Sequence, residues 1–274
     1  MNIVVIIQAR MASSRLPGKV LREIAGKPML AHVVERARKA KQISSVWVAT
    51  TIDPSDDPVE ALCGQLETRC YRGSMHDVLD RYYQAAKTAG AEVIVRLTAD
   101  CPLIDPGLVE ATLEAFLDGA DFAANRLPPP WTRSFPIGLD TEICSYAALE
   151  RTWKEADQPY HREHVLPYLY EGVSFEAPPR QPEIGENYVL RGHSRHGFHI
   201  AQLHHHPDYG TLRWTVDTPA DLELVQQIFS RMTDKPDFSW LEVIELFKNE
   251  PQLAQINADV QHKTAYDVDP RMKQ

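Results

Sequence analysis

Cysteine is scarce in this 274-residue chain. Cys63, Cys70, Cys101 and Cys144 are scattered, with no Cys-x-x-Cys pair among them. A disulfide framework or a zinc ribbon needs closely spaced cysteines, so reduced thiols are expected. Long apolar runs are missing as well, and none approaches the ~20 residues that cross a bilayer. The apolar start Ile3 to Ile7 is too short for the core of a secretory signal, and arginines follow it instead of a small-residue cleavage site. These absences lead to the expectation of a cytoplasmic protein with no membrane partner. A basic surplus is also lacking: 29 Lys and Arg stand against 38 Asp and Glu, a formal charge of -9. That balance argues against a nucleic-acid partner. It leaves room for a small anionic ligand, because a few local cations make a basic pocket in an acidic protein. GxxxxGK[ST] and HExxH do not occur, nor does any internal repeat or low-complexity tract.

What is present fits an ordinary globular domain. Hydrophobic residues make up 43% of the chain, enough to fill a core. The length suggests one large domain over residues 1–250, with a polar tail over 251–274. Ile3 to Ile7 is a continuous β-branched run that suits a strand buried on both faces. A loop to Lys27 follows, and Pro28 opens a helix with Met29, Val33, Val34 and Ala37 at helical spacing. Val46 to Thr50 reads as a strand, Pro58 to Leu66 as a helix, Cys70-Tyr71 as a short strand and Asp77 to Ala89 as a helix. Val93 to Leu97 is another buried strand, and Asp105-Pro106 begins a helix to about Leu117.

This alternation predicts an α/β fold, a three-layer Rossmann-like sandwich with a mainly parallel mixed sheet. Ligands of such sheets sit beyond the carboxyl ends of the strands, where the strand order switches. The loops leaving those ends begin Gln8-Ala9-Arg10 and Thr98-Ala99-Asp100. The pattern is less regular afterwards. Leu127 to Pro136 holds four prolines and two aromatics expected to be exposed, Trp131 and Phe135, and reads as a loop or lid. Thr141 to Cys144 reads as a strand, and Ala147 to Ala156 and Arg162 to Tyr170 as helices. Ala177 to His196 has no clear period. Leu212 to Val216 is a strand running into Asp217-Thr218-Pro219, which starts a helix, and Trp240 to Phe247 is a last amphipathic helix.

The stretch Gln8 to Lys19 carries the strongest functional signal. Arg10, Arg15 and Lys19 recur every four or five residues among small residues including Ala9 and Ser14. Such a loop brings backbone N–H groups, guanidinium forks and an ammonium onto phosphate oxygens. On charge alone it is equally a solvated basic loop; its place directly after a buried strand favours a phosphate site. Asp100 and Asp217 both end strands, and two carboxylates from distant segments can share one hard cation. Asp217, before Thr-Pro, also reads as a helix cap.

The string IIQARMASSRLPGKVLREIAGKPML resembles the signature of the cytidylyltransferases that activate acidic sugars, such as sialic acid and 3-deoxy-manno-octulosonate. Within that family the likeness is strongest to the spore coat polysaccharide biosynthesis protein F subgroup. It continues in order through VATTIDPSDD, RGSMHDVLDRYYQAA, VIVRLTADCPLIDP, FPIGLDTEI, REHVLPYLY and LRWTVDTPADLELV. The resemblance implies a nucleotide-diphospho-sugar transferase fold and transfer of CMP from CTP to an acidic sugar. It implies Mg2+ on Asp100 and Asp217, with Arg15 and Lys19 catalytic alongside them. Gln8, Ala9, Arg10, Ser14, Arg15 and Lys19 would line the nucleotide, with Arg72 and Arg81 as further candidates. A homodimer is a family expectation. A glycosyltransferase of the same fold and a non-catalytic nucleotide-binding subunit stand as the alternatives.

Other residues have plainer readings. Asp77 and Arg81 form an i,i+4 pair on a helix face. Arg96 is either a partner for an acid or a substrate cation. His161 and His164 supply only two ligands, and a structural or acceptor role is expected over zinc. By resemblance Arg162 faces the acceptor and pairs with its carboxylate. His193, His196, His199 and His204 to His206 read as surface histidines. Cys101 has no nearby histidine to make it a nucleophile.

Overall fold

The computed structural model describes residues 1–178 and 180–261. Its first half is the expected alternation. In chain order come β1 (Ile3–Gln8), a small ribbon of β2 (Glu23–Ile24) and β3 (Lys27–Pro28), α1 (Met29–Ala37), β4 (Ser45–Thr51), α2 (Asp57–Gln65), β5 (Arg69–Gly73), α3 (Val78–Thr88), β6 (Val93–Thr98) and α4 (Pro106–Leu117). The second half holds β7 (Phe122–Ala124), β8 (Glu142–Ser145), α5 (Tyr146–Glu155), α6 (Pro159–His164), α7 (Pro167–Tyr170), β9 (Ser174–Phe175), β10 (Asn187–His193), β11 (His199–His205), α8 (Pro219–Arg231) and α9 (Trp240–Asn249).

Among the described residues one large sheet has the order β5-β4-β1-β6-β8-β7-β11-β10-β9. β5, β4, β1 and β6 run parallel. β8 joins antiparallel to β6, and β11 lies parallel to β7. The chain lays down β1, β4 and β5 in one direction and then crosses back over β1 to place β6. The strand order therefore switches at β1 and β6, and the crevice beyond their carboxyl ends is the expected ligand position.

β1 is apolar throughout because both its faces are covered. Ile3, Val5 and Ile7 pack with Val33 and Val34 of α1 and with Leu113 of α4. Val4 and Ile6 face the other way, onto Leu79 and Tyr82 of α3 and Leu149 of α5. Helices α3, α4 and α5 begin on side-chain caps: Asp77 accepts from Asp80, Asp105 from Leu108 and Ser145 from Ala148, each typically worth ~1 kcal/mol. Pro28 stands just before α1 instead of within it. A third cluster joins α8 and α9 to the N-terminal loop through Leu16, Ile24, Met29, Trp214, Phe229 and Trp240. This packing brings the chain around residue 217 to the carboxyl ends of β1 and β6.

Several expectations are corrected. The helix expected over Arg162 to Tyr170 is two short helices separated at Val165, whose φ is +74°. Pro167 lacks the N–H that a continuous helix needs there. Leu212 to Val216 is not a strand of the sheet; it carries an isolated bridge between Ile137 and Arg213, both outside the strands. The segment without a clear period contains β10, which pairs with β11 over seven residues from Asn187–His205 to His193–His199. Half-buried β10 residues gave no alternation to read. His204 and His205 are buried and not on the surface. Burial pushes the His204 imidazole down to about 4. Phe135, too, is buried.

Packing also continues beyond residue 250. Leu253 is buried in the third cluster, and Asn257 Nδ2 donates to Arg213 O at 3.0 Å and to Asp221 Oδ1 at 2.9 Å. Residues 262–274 of the expected tail lie outside the described residues.

Candidate active site

The loop after β1 is pinned at both ends. Ala9 N donates to Ala49 O on β4 and Ala99 N to Gln8 O, which fixes the exits of β1 and β6 side by side. Gln8 Oε1 accepts from Arg96 at 3.2 Å. Met11 N donates to Asp56 Oδ1 at 2.7 Å, and Asp56 Oδ2 accepts from Thr51 N and its hydroxyl. Asp56 is buried. Gly18, at φ +67°, turns the chain back so that its N–H reaches Met11 O at 3.0 Å. That left-handed turn suits glycine, and it aims the next side chain, Lys19, inward.

Lys19 Nζ donates to Asp100 Oδ2 at 2.7 Å, Asp217 Oδ1 at 2.8 Å and Val216 O at 2.9 Å. Its three N–H bonds are thereby all used. Burial works against the Lys19 charge, but Asp100 and Asp217 outweigh it and raise the pKa. On Asp217, Arg15 Nη2 lies 2.9 Å and Arg213 Nη2 2.8 Å from Oδ2. Burial again opposes the charge, and Lys19, Arg15 and Arg213 together hold the carboxyl well below the usual range. Asp100, Asp217, Arg15 and Lys19 therefore meet at one point at the switch in strand order.

Asp217 is not the cap of α8. Thr218 is: its hydroxyl accepts from Asp221 N at 3.2 Å, and Asp221 Oδ2 accepts from Thr218 N at 2.9 Å. Asp221 Oδ2 also accepts from Asp217 N at 3.0 Å, and Asp221 Oδ1 accepts from Arg213 Nε at 2.9 Å. Arg213 and Asp221 thus form a buried foundation beneath Asp217, one that the sequence reading missed. Thr-Pro followed by Asp at the third helical position was the capping-box signal that could have found it.

Asp100 is secured from the same side. Val216 N donates to Asp100 O at 2.8 Å and Thr215 Oγ1 at 3.2 Å. Gly138, at φ +108°, presses on this segment so closely that a Cβ there would lie 2.4 Å from Thr215 N. Cys101 is buried, which pushes its thiol well up, and nearby Asp100 and Asp140 push it further. It is unsuited to act as a thiolate nucleophile.

The remaining candidates make other contacts. Arg10 is close enough to Arg81 for its charge to act on it. Ser14 is exposed on the loop, and Ala9 is buried at its root. Arg72 turns to Glu60 at 2.7 Å, Asp57 at 2.7 Å and the carbonyls of Thr51 and Asp53. Arg81 is fully buried and donates to Ser74 O at 2.6 Å. Burial lowers its pKa to about 10, and Arg10 adds to that effect. Asp77 caps α3 and pairs with Arg162, not with Arg81. Arg162 is engaged by Asp77 and by Trp153 O.

Beyond β6 a second polar group appears. Arg96 pairs with Glu142, which resolves it as the partner of an acid. Asp140 is paired with Arg126 at 3.2 Å and with Arg133 at 3.3 Å, all three partly exposed. Burial pushes His164 down to about 4, and Arg96 and Arg126 reinforce the shift.

The donor set at the junction suits a hard cation. Two carboxylates reach one nitrogen from separate loops, and Mg2+ commonly takes one or two carboxylates with phosphate and water completing its shell. Among the described residues, no cluster of three or more His, Cys, Asp or Glu side chains could hold a metal. Nor is any helix among them long and apolar enough to cross a membrane.

The chain is similar to known proteins along most of its length. Residues 4–262 match the family model described as Cytidylyltransferase. Spore coat polysaccharide biosynthesis protein SpsF of Bacillus subtilis is 32% identical, covering 92% of this chain and 97% of that protein. A 3-deoxy-manno-octulosonate cytidylyltransferase of Anaeromyxobacter dehalogenans is 31% identical, covering 84% of this chain and 98% of its own length. The solved structure of a cytidylyltransferase from Leptospira borgpetersenii superposes with a TM-score of 0.79 at 30% identity, covering 96% of this chain and 100% of the other.

Proposed function

The chain belongs to the cytidylyltransferase family, and on that footing we propose that it transfers CMP from CTP to a small acidic sugar-like acceptor and releases pyrophosphate. The observation that carries this reading is the meeting of Lys19, Arg15, Asp100 and Asp217 at the strand-order switch. Cations from a tight loop and carboxylates from two other loops are what an α-phosphoryl transfer requires at one point. The acidic class of the acceptor is supported by the relative whose name carries 3-deoxy-manno-octulosonate.

An acceptor hydroxyl loses its proton to water as its oxygen bonds to the α-phosphorus, while the bond from that phosphorus to the β-phosphate bridging oxygen breaks in line and pyrophosphate leaves. Arg10, Arg15 and Lys19 hold the β- and γ-phosphates as they leave and neutralise the charge that develops there. Mg2+, held by Asp100 and Asp217, would supply further neutralisation of the phosphate oxygens when bound. Gly18 and Asp56 keep the loop in place for this work. On the acceptor side, Arg126 and Arg133, partly exposed and waiting on Asp140, are the cations available to an acceptor carboxylate.

The test is pyrophosphate release from each of the four nucleoside triphosphates, with Mg2+ and a panel of sugar acids. Release with CTP and a sugar acid is expected. Tight CTP binding without release for any acceptor would favour a non-catalytic subunit, and release of nucleotide from a CMP-sugar would favour a glycosyltransferase.

A further inference from the structure

Lys19 is in an unusual position for a phosphate-binding lysine. All three of its N–H bonds are spent on Asp100, Asp217 and Val216 O, and its side chain is 12% exposed. It therefore stands between the two carboxylates that suit a divalent cation, and it is not free to meet a phosphate. We infer that Lys19 is a resident counterion whose exchange makes divalent-cation binding and triphosphate binding depend on each other. The inference rests on the cytidylyl-transfer reading of this site.

The argument is one of charge closure. A divalent cation arriving alone must share Asp100 and Asp217 with an ammonium already hydrogen-bonded to both. If it displaces Lys19, a largely buried ammonium is left without a charged partner, which is strongly unfavourable. A triphosphate arriving alone meets the opposite difficulty. Drawing Lys19 and Arg15 away leaves two carboxylates facing the phosphates, with Arg213 remaining on Asp217. When both ligands arrive, the divalent cation takes the carboxylates and Lys19 takes phosphate oxygens, so no charge is stranded. Each ligand then favours the other, and the coupling is reciprocal by linkage.

The coupling lies in the chain itself, beyond the chelation of the cation by free CTP, so it can be read with one ligand at a time. The experiment is a cycle of four full-length proteins: wild type, Lys19→Met, Asp100→Asn and the double variant, each checked for folding by circular dichroism. Mn2+ serves as the cation probe without nucleotide, with free Mn2+ counted by electron paramagnetic resonance. Lys19→Met should bind Mn2+ on the order of tenfold more tightly than wild type, and the double variant should lose that gain. Wild type binding Mn2+ as tightly as Lys19→Met would overturn the exchange.

The second reading is CTP binding in EDTA by calorimetry. Asp100→Asn loosens the hold on Lys19 and should tighten metal-free CTP binding by at least about fivefold. The gain should vanish in the Lys19→Met background, since an interaction between the two sites makes their effects non-additive. An equal gain in both backgrounds is a plain charge effect and overturns the exchange. If none of the four proteins binds CTP under any condition, the cytidylyl-transfer reading falls, while the Mn2+ series still decides the exchange by itself.

Discussion

Arg213 and Asp221 form an ion pair at 2.9 Å in which neither side chain is more than 6% exposed, and Asp217 rests directly on it. The pair is not isolated: Asp221 also accepts from the backbone N–H groups of Asp217 and Thr218 and from Asn257. One carboxylate thus sets the helix start, the orientation of Arg213 and the height of Asp217 in the site.

Asp221→Ala is accordingly expected to destabilise the protein by roughly 3 kcal/mol, because it removes one of the two carboxylates on buried Arg213 and the shared acceptor of Asp217 N, Thr218 N and Asn257. Urea unfolding followed by fluorescence measures this. A change under about 1 kcal/mol would show that the pair is not a foundation of the site.

Arg15→Ala and Lys19→Ala remove cations from the leaving-group side. Each should lower kcat by on the order of 10²- to 10³-fold, the size found when one preorganised charge donor is lost. Thermal unfolding of both variants should remain cooperative. Near-normal pyrophosphate release in both would take this loop out of the mechanism.

Gly138→Ala probes the clamp on Asp100 and Asp217. The added Cβ would lie 2.4 Å from Thr215 N and 2.6 Å from Trp214 C at a φ of +108°. Backbone cannot yield as a flexible side chain can, so a loss of at least ~2 kcal/mol is expected. Turnover should fall with it as the Asp100 and Asp217 segments part. A variant of unchanged melting temperature and activity would refute the clamp.

Stability should fall as pH drops from about 6.5 toward about 4. His164 and His204 are both held down at about 4 by burial, whereas an unfolded histidine titrates near 6.5. Between those values the unfolded chain binds more protons than the native one, so stability rises with pH across that window. The full effect is up to ~3 kcal/mol per histidine. His204→Gln should flatten the melting-temperature profile between pH 4.5 and 6.5, and an unaltered slope in that variant would count against the assignment.

The local features of this protein were written in the sequence itself. Ile3 to Ile7 had to be a strand covered on both faces, because every residue in it is apolar and β-branched. Arg10, Arg15 and Lys19 stood out as site candidates because they leave that strand at once, and Asp100 because it follows the buried strand Val93 to Leu97. Tertiary structure decided which of the charged residues meet. Lys19 reaches Asp100 across 81 positions and Asp217 across 198, and spacing in sequence carries no information about such distances. Asp217 read equally well as a cap until Thr218 and Asp221 were seen to close the capping box without it. Arg72, Arg81 and Arg162 have the same chemistry as Arg15, yet β5, α3 and α6 turn them toward Glu60, Ser74 and Asp77. The physical reason is that a charged side chain's role depends on which opposite charge the packed helices bring within about 3 Å of it. Here the packing of α8 and α9 against Leu16, Ile24 and Met29 made that choice.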